Sequence, residues 1–186
     1  SPNLSLRGLK IVLDCANGAS YHVAPTVFEE LGAHVVPIGI DPDGFNINKD
    51  CGSTNPDHLQ YMVQQTKADL GVALDGDGDR VLMVDEKSQL VDGDQILYIM
   101  SRARIQKGNM SGGIVGTSMT NLGLELACKE ANIPFERANV GDRHVYRLLK
   151  QNNWLLGGET SGHILCLEKS TTGDGIIAAL DVLESL

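Results

Sequence analysis

Residues 70–84 read LGVALDGDGDRVLMV. Two apolar runs, Leu70 to Leu74 and Val81 to Val84, flank a loop of three aspartates, two glycines and an arginine. Short apolar runs bounded by turn residues predict two buried strands joined by a turn. One Asp-Gly pair is already a hairpin signal. Two pairs in tandem with a third aspartate exceed what a turn requires, because like charges this close cost free energy unless a cation neutralises them. Alternation puts Asp75, Asp77 and Asp79 on one side of the loop, and the glycines let the backbone fold tightly around an ion. An oxygen donor set with no His or Cys nearby favours Mg²⁺, Mn²⁺ or Ca²⁺ over zinc.

Three chemistries compete for this loop. An EF-hand fits at Asp75, Asp77, Asp79 and Glu86, but Arg80 occupies the position that needs glycine, and strands rather than helices flank the loop. A phosphatase would use one aspartate as nucleophile and another as acid/base. In the third, a metal held by the loop steadies a phosphoryl group bound elsewhere. Arg80 favours the last two, since a guanidinium pairs bidentately with phosphate oxygens.

Working outward, strands and helices alternate. Leu9 to Leu13 reads as a strand. Val23, Val27 and Leu31 mark one helix face, with Gly32 past its end. His34 to Ile38 reads as a second strand. Asn55 caps and Pro56 opens a helix with Leu59, Met62 and Val63 inward. From Asp92-Gly93-Asp94 a new helix begins (Ile96, Leu97, Met100), and the grammar repeats. Gly113 to Gly116 is a strand, Leu122 and Leu126 give a helix face, and Ile133 to Arg137 is a strand. Val145, Leu148 and Leu149 give a helix, and Trp154 to Leu156 runs into Gly157-Gly158-Glu159, with His163 to Leu167 returning. The expected fold class is α/β: two similar tandem domains, 1–92 and 93–186, each a mixed or mostly parallel sheet flanked by helices. Ligand loops in such sheets gather at the carboxyl ends of strands.

The loop equivalent to the aspartates is GGETSGH, residues 157–163. A carboxylate accepts two hydroxyl hydrogen bonds and a serine donates or accepts, so Glu159 and Ser161 on a tight glycine turn suit hydroxyl recognition. A plain glycine-rich hairpin with a solvated glutamate is the competing reading. TTGDG, residues 171–175, reads as the cap of the last helix, through Thr172 or Asp174.

Bulk properties narrow the field. A net charge of −9 disfavours a polyanionic partner such as nucleic acid, and 4% aromatic residues disfavour stacking platforms. No apolar run reaches membrane-spanning length and no signal-peptide pattern opens the chain. Cys15, Cys51, Cys128 and Cys166 lack metal-type spacing and read as reduced thiols of a cytoplasmic protein. The absence of an initial methionine, and an end at Leu186 inside what reads as a helix (Ile176, Ile177, Leu180, Leu183), suggest a fragment.

Together the two loops resemble the α-D-phosphohexomutase superfamily, through Asp75 to Arg80 and through Gly158, Glu159, Ser161, Gly162 and His163. VLDCANGASYHVAP, VDGDQILYI, NVGDRHVY and TTGDGI resemble its bacterial branch acting on glucosamine phosphates. The resemblance implies the second and third of four domains. It implies Mg²⁺ on Asp75, Asp77 and Asp79, Arg80 facing the transferring phosphoryl group, and a phosphorylated hexosamine gripped by Glu159 and Ser161. His163 is implied as a loop support or a substrate contact, and Arg143, in VGDR, as a residue near the substrate. Asn139 stands where many relatives carry lysine. The reaction implied interconverts glucosamine 6-phosphate and glucosamine 1-phosphate through a phosphoserine and a bisphosphate intermediate. Mannose or glucose phosphates are the alternative substrates. The phosphoserine is implied on the first domain, so the remaining domains of the parent chain are the partners, and the piece alone is expected to be inactive.

Overall fold

The computed structural model describes residues 3–186. The chain divides into two compact units, Ser1–Val91 and Asp92–Leu186.

Unit 1 runs β1 (Lys10–Asp14), α1 (Val23–Glu30), β2 (His34–Ile38), α2 (Asp57–Thr66), β3 (Leu70–Leu74), β4 (Val81–Val84) and β5 (Leu90–Val91). Its sheet has the order β2-β1-β3-β4-β5. The first three strands are parallel, and β4 and β5 pair antiparallel. Pro37 is tolerated in β2 because that strand lies at the sheet edge. Unit 2 runs α3 (Gly93–Gln106), β6 (Ile114–Thr117), α4 (Leu122–Glu130), β7 (Phe135–Ala138), α5 (Asp142–Asn152), β8 (Leu156–Gly158), β9 (Ile164–Cys166) and α6 (Gly175–Leu183). Its sheet order is β7-β6-β8-β9, parallel except for the β8–β9 pair.

The repeat read from the sequence is therefore a repeat of topology. β2-β1-β3-β4 and β7-β6-β8-β9 are the same arrangement, and in both the fourth strand returns antiparallel. The packing repeats as well. Val12, Leu59, Val63, Ala68, Ala73 and Val84 form a core under α2, and Val115, Ala138, Val145, Leu149 and Leu165 form its counterpart under α5. Gly71 and Gly157 hold matching places, each beside the central strand. A Cβ on Gly71 would lie 2.8 Å from Leu59 and Val63, and one on Gly157 3.0 Å from Val145. The close seat of helix on sheet depends on both glycines.

Three details differ from the sequence reading. The inward residues of α1 are Ala24 and Phe28, not the Val23, Val27 and Leu31 stripe. Both stripes are apolar, and the bulky Phe28 ring takes the buried side. In α4 the inward pair is Leu124 and Cys128, while Leu122 and Leu126 are 63% and 48% exposed. The crossover from β6 to β7 fixes which side of α4 meets the sheet, and two leucines four apart carry no information about that. Helix α2 begins one residue later than expected: Pro56 is its N-cap position, and no side chain caps it.

Helices α3 and α6 start where the sequence reading places them, and α4 starts at an asparagine cap that the reading does not name. Asp92 closes a reciprocal capping box with Gln95 at the start of α3, Asn121 caps α4 through the Leu124 amide, and Asp174 caps α6 through the Ile177 amide. Gly32, past the end of α1, has φ +99°. Helix α6, expected to run to Leu186, instead closes at Leu183 with Glu184 as C-cap. Among the described residues no helix is long and apolar enough to cross a membrane.

Candidate functional site

In unit 1 the loops that follow β1, β2 and β3 all leave the carboxyl edge of the parallel strands. The aspartate loop closes the β3–β4 hairpin, whose last paired residues are Leu74 and Val81. Asp75 is buried and its Oδ1 accepts hydrogen bonds from the amides of Asp79 and Arg80, both at 3.1 Å. The first aspartate thus staples the turn. Gly78, at φ +73°, donates its amide to the Asp75 carbonyl at 3.0 Å. Any Cβ there would lie 2.5 Å from the buried Ser20 hydroxyl, so this position takes only glycine.

Two neighbouring loops hold this turn from outside. The Ala19 amide donates to the Gly76 carbonyl at 2.8 Å, and the Gly76 amide donates to Asn48 Oδ1 at 2.8 Å. Both loops are themselves tied down by Asp14, a fully buried carboxylate at the end of β1. Its two oxygens take the amides of Ala16 at 2.9 Å and Gly52 at 2.7 Å. Burial pushes the Asp14 carboxyl above its ordinary range, and the two amides work against that rise. Neither Asp14 nor Asn48 stood out in the sequence. The one hint for Asp14 is a carboxylate directly after the apolar run Ile11–Leu13, which many strand ends share; Asn48 has none.

One carboxylate oxygen from each of Asp75, Asp77 and Asp79 lies within 4.8 Å of the others. A single divalent ion can be reached by all three, and the donors are hard oxygens, as Mg²⁺, Mn²⁺ or Ca²⁺ requires. Burial raises the Asp75 pKa and the nearby Asp79 carboxylate adds to the rise, with the Arg80 amide and guanidinium opposing it. Asp77 and Arg80 are exposed and Asp79 is half-buried, so the open side of the triad faces solvent.

In unit 2 the 157–163 loop holds the matching place, closing the β8–β9 hairpin. The Glu159 amide donates to the His163 carbonyl and the Gly162 amide to the Glu159 carbonyl, both at 3.0 Å. Glu159 Oε1 accepts the Gly141 amide at 2.9 Å, which joins this loop to the VGDR segment at the start of α5. Ser161 and Arg143 are exposed. His163 is buried, with Nε2 3.9 Å from Asp142 Oδ2. The geometry gathers Glu159, Ser161, His163 and the 140–143 segment at one edge of the unit 2 sheet. A further participant escaped sequence reading: Asp94, buried near the start of α3, whose carboxylate meets Thr160.

Comparison with known proteins gives consistent matches. Residues 2–89 match the family model described as phosphoglucomutase/phosphomannomutase, alpha/beta/alpha domain II, and residues 92–186 match domain III of the same series. The chain is 62% identical over 183 residues to a phosphoglucosamine mutase of Legionella pneumophila (strain Lens), covering 98% of this chain and 40% of that relative. It is 63% identical over 186 residues to the one from Methylobacillus flagellatus, covering 100% of this chain and 41% of the relative. The chain thus spans about two-fifths of the length of these curated relatives. Among solved structures, a phosphoglucomutase/phosphomannomutase family protein from Burkholderia thailandensis superposes with a TM-score of 0.84 at 26% identity, over 98% of this chain and 41% of that one. The fold is also that of an Aspergillus fumigatus N-acetylphosphoglucosamine mutase solved with GlcNAc-6P and magnesium, with a TM-score of 0.65 at 24% identity, over 96% of this chain and 43% of that one.

Proposed function

We propose that this chain, which belongs to the phosphoglucomutase/phosphomannomutase family, is the metal-holding and sugar-holding part of a phosphoglucosamine mutase. The reaction is the interconversion of glucosamine 6-phosphate and glucosamine 1-phosphate. Identity of 62–63% to phosphoglucosamine mutases along nearly the whole chain supports the branch. The observation that carries the reading is the matched placement of the two loops. One presents three clustered carboxylates and the other a tethered glutamate, each at the antiparallel hairpin of an equivalent sheet.

In this reading Asp75, Asp77 and Asp79 hold Mg²⁺, in keeping with the magnesium in the fungal relative. When bound, the ion supplies electrostatic stabilisation of the charge on a transferring phosphoryl group. The protein's own work is positional. The amides of Asp79 and Arg80 fix the Asp75 carboxylate, so little reorganisation is needed when the ion and phosphate arrive. Arg80 pairs with phosphoryl oxygens beside the triad. Glu159 and Ser161 accept and donate to sugar hydroxyls, with Glu159 aimed by the Gly141 amide. Arg143, exposed on the adjoining turn, meets the substrate's charge, and His163 supports the loop from within. The phosphoserine that donates the phosphoryl group, and the grip on the substrate's phosphate, belong to the remaining domains of a longer parent chain. The isolated piece is accordingly inactive as a mutase. Four buried thiols outside any disulfide support a cytoplasmic location.

The test is the specificity constant kcat/KM of the full-length protein with Mg²⁺ and a trace of sugar bisphosphate. Glucosamine 6-phosphate, mannose 6-phosphate and glucose 6-phosphate are compared. A strong preference for the amino sugar is expected. A preference for mannose or glucose phosphate overturns the branch and keeps the mechanism; activity on none of them overturns the mutase reading.

A further inference from the structure

Thr160 sits in the middle of the 157–163 loop, between the two residues read as sugar contacts. Its hydroxyl lies 3.0 Å from both carboxylate oxygens of Asp94, closer than the Met119 carbonyl at 3.4 Å. Asp94 is 1% exposed, and its Oδ2 also accepts the Asn121 amide at 2.9 Å, at the N-cap of α4. The same first turn of α3 touches the loop's backbone. The Gly93 amide donates to the Thr160 carbonyl at 3.0 Å, and a Cβ on Gly93 would lie 2.0 Å from the Glu159 carbonyl oxygen. The loop therefore rests on α3 through one side-chain tether and one backbone contact that only glycine permits.

A buried carboxylate is costly unless its oxygens are satisfied. Burial raises the Asp94 pKa, with the Asn121 amide and the Thr160 hydroxyl opposing the rise. A wholly apolar residue would fill the place at lower cost if packing were its only task. What the carboxylate adds is a fixed orientation for Thr160, and with it for the residue on either side.

We propose that Asp94 is a positioning residue for the sugar-holding loop: by accepting from the Thr160 hydroxyl it turns Thr160 inward and presents Glu159 and Ser161 to substrate hydroxyls. The presentation to sugar rests on the mutase reading above; the tether itself does not. Glu159 is then held at two points, by Gly141 at its carboxylate and by Asp94 through its neighbour.

The test uses the full-length protein with Thr160→Val, Thr160→Ser and Asp94→Asn, read by amide hydrogen exchange and by steady-state kinetics. Thr160→Val keeps the shape and removes the donor. Exchange in the peptides covering 139–143 and 157–163 is expected to speed up about tenfold, as loss of one hydrogen bond of about 1.4 kcal/mol gives. KM for glucosamine 6-phosphate is expected to rise about tenfold with kcat within about twofold, and the Mg²⁺ dependence to stay unchanged. Thr160→Ser restores the donor and both readouts, while Asp94→Asn, which keeps one acceptor oxygen, falls between. Wild-type exchange in Thr160→Val overturns the tether. Faster exchange with an unchanged KM overturns the link to sugar binding. An inactive wild-type protein overturns the mutase reading, and the exchange data then decide the tether alone.

Discussion

Asn48 Oδ1 accepts the Gly76 amide at 2.8 Å, and this bond joins the loop after β2 to the turn that carries the three aspartates. Asn48 itself has φ 58°, a left-handed conformation that asparagine tolerates better than most residues. Asn48→Ala leaves the Gly76 amide without its acceptor and strains the backbone at once. The expected loss is about 1–3 kcal/mol in unfolding of unit 1, with weaker divalent binding. Asn48→Gly relieves the backbone but not the bond. Denaturant unfolding and Mn²⁺ titration of both variants separate the two contributions, and a Gly variant that behaves like wild type would show that only the backbone matters.

Asp77 is the exposed member of the triad, so its charge is removable without opening the core. Asp77→Asn is expected to weaken divalent-ion binding by about tenfold or more, since one of three anionic ligands is lost. In the metal-free protein the same change reduces repulsion and leaves the melting temperature equal or higher. A loss of stability is therefore expected in metal-saturated samples and not in metal-free ones. Calorimetry with and without Mn²⁺ checks this, and an equal loss in both conditions would make Asp77 a structural residue.

Unit 2 contains a buried ion network at the far end of α3. The Arg104 guanidinium lies 2.9 Å from Asp181 Oδ2 on α6 and also binds Glu168, and Lys169 reaches Asp181 Oδ1 at 2.6 Å. Arg104→Met strands Asp181 in the interior with only Lys169 for company. The expected cost is about 3–5 kcal/mol, toward the lower end because Lys169 remains. The double variant Arg104→Met/Asp181→Leu is expected to recover most of it, since the charges left over, Glu168 and Lys169, are 38% and 32% exposed and reach solvent. A double variant as unstable as the single one, by urea denaturation, would contradict this account.

The same network sets a pH dependence. Burial alone would raise the Asp181 pKa, but the Lys169 ammonium and the Arg104 guanidinium override it and hold the carboxyl below the ordinary 3.8. A folded-state value below the unfolded one stabilises the protein above the unfolded pKa, and that contribution disappears as pH falls through the folded value. The stability gap between wild type and Asp181→Asn is thus constant near neutral pH and begins to close below about pH 4. Asp94 and Asp75 carry the opposite sign, since burial raises their values. Unfolding free energies of the wild type and Asp181→Asn across pH 3–7 test the difference directly, free of the common background; a gap that stays constant to pH 3 would rule the mechanism out.

Much of this protein is legible in the chain itself. Apolar runs of four or five residues, separated by helical periods, fix the strand order along the sequence, and the recurrence of that grammar gives two similar units. Asp92 and Asp174 mark helix starts through local hydrogen bonds that need no tertiary context. The aspartate alternation and the glycines of GGETSGH mark both places as special turns, because charge repulsion and glycine conformations are properties of neighbours in the chain, while the pairing of a metal loop with a sugar loop comes from the family resemblance.

What only the tertiary structure decided is which side of an element faces inward and which distant residue holds a loop. Phe28 rather than Val27 is buried, and Leu124 rather than Leu122, because the crossover between parallel strands sets the rotation of the helix and the sequence offers two apolar stripes. Asp14, Asn48 and Asp94 brace the loops from 28 to 66 positions away, as the Gly52, Gly76 and Thr160 contacts show. Their partners are backbone amides and one hydroxyl, present at nearly every residue, so no pattern in the sequence singles them out. Hydrogen-bond donors become specific only when folding removes the water that would otherwise satisfy them.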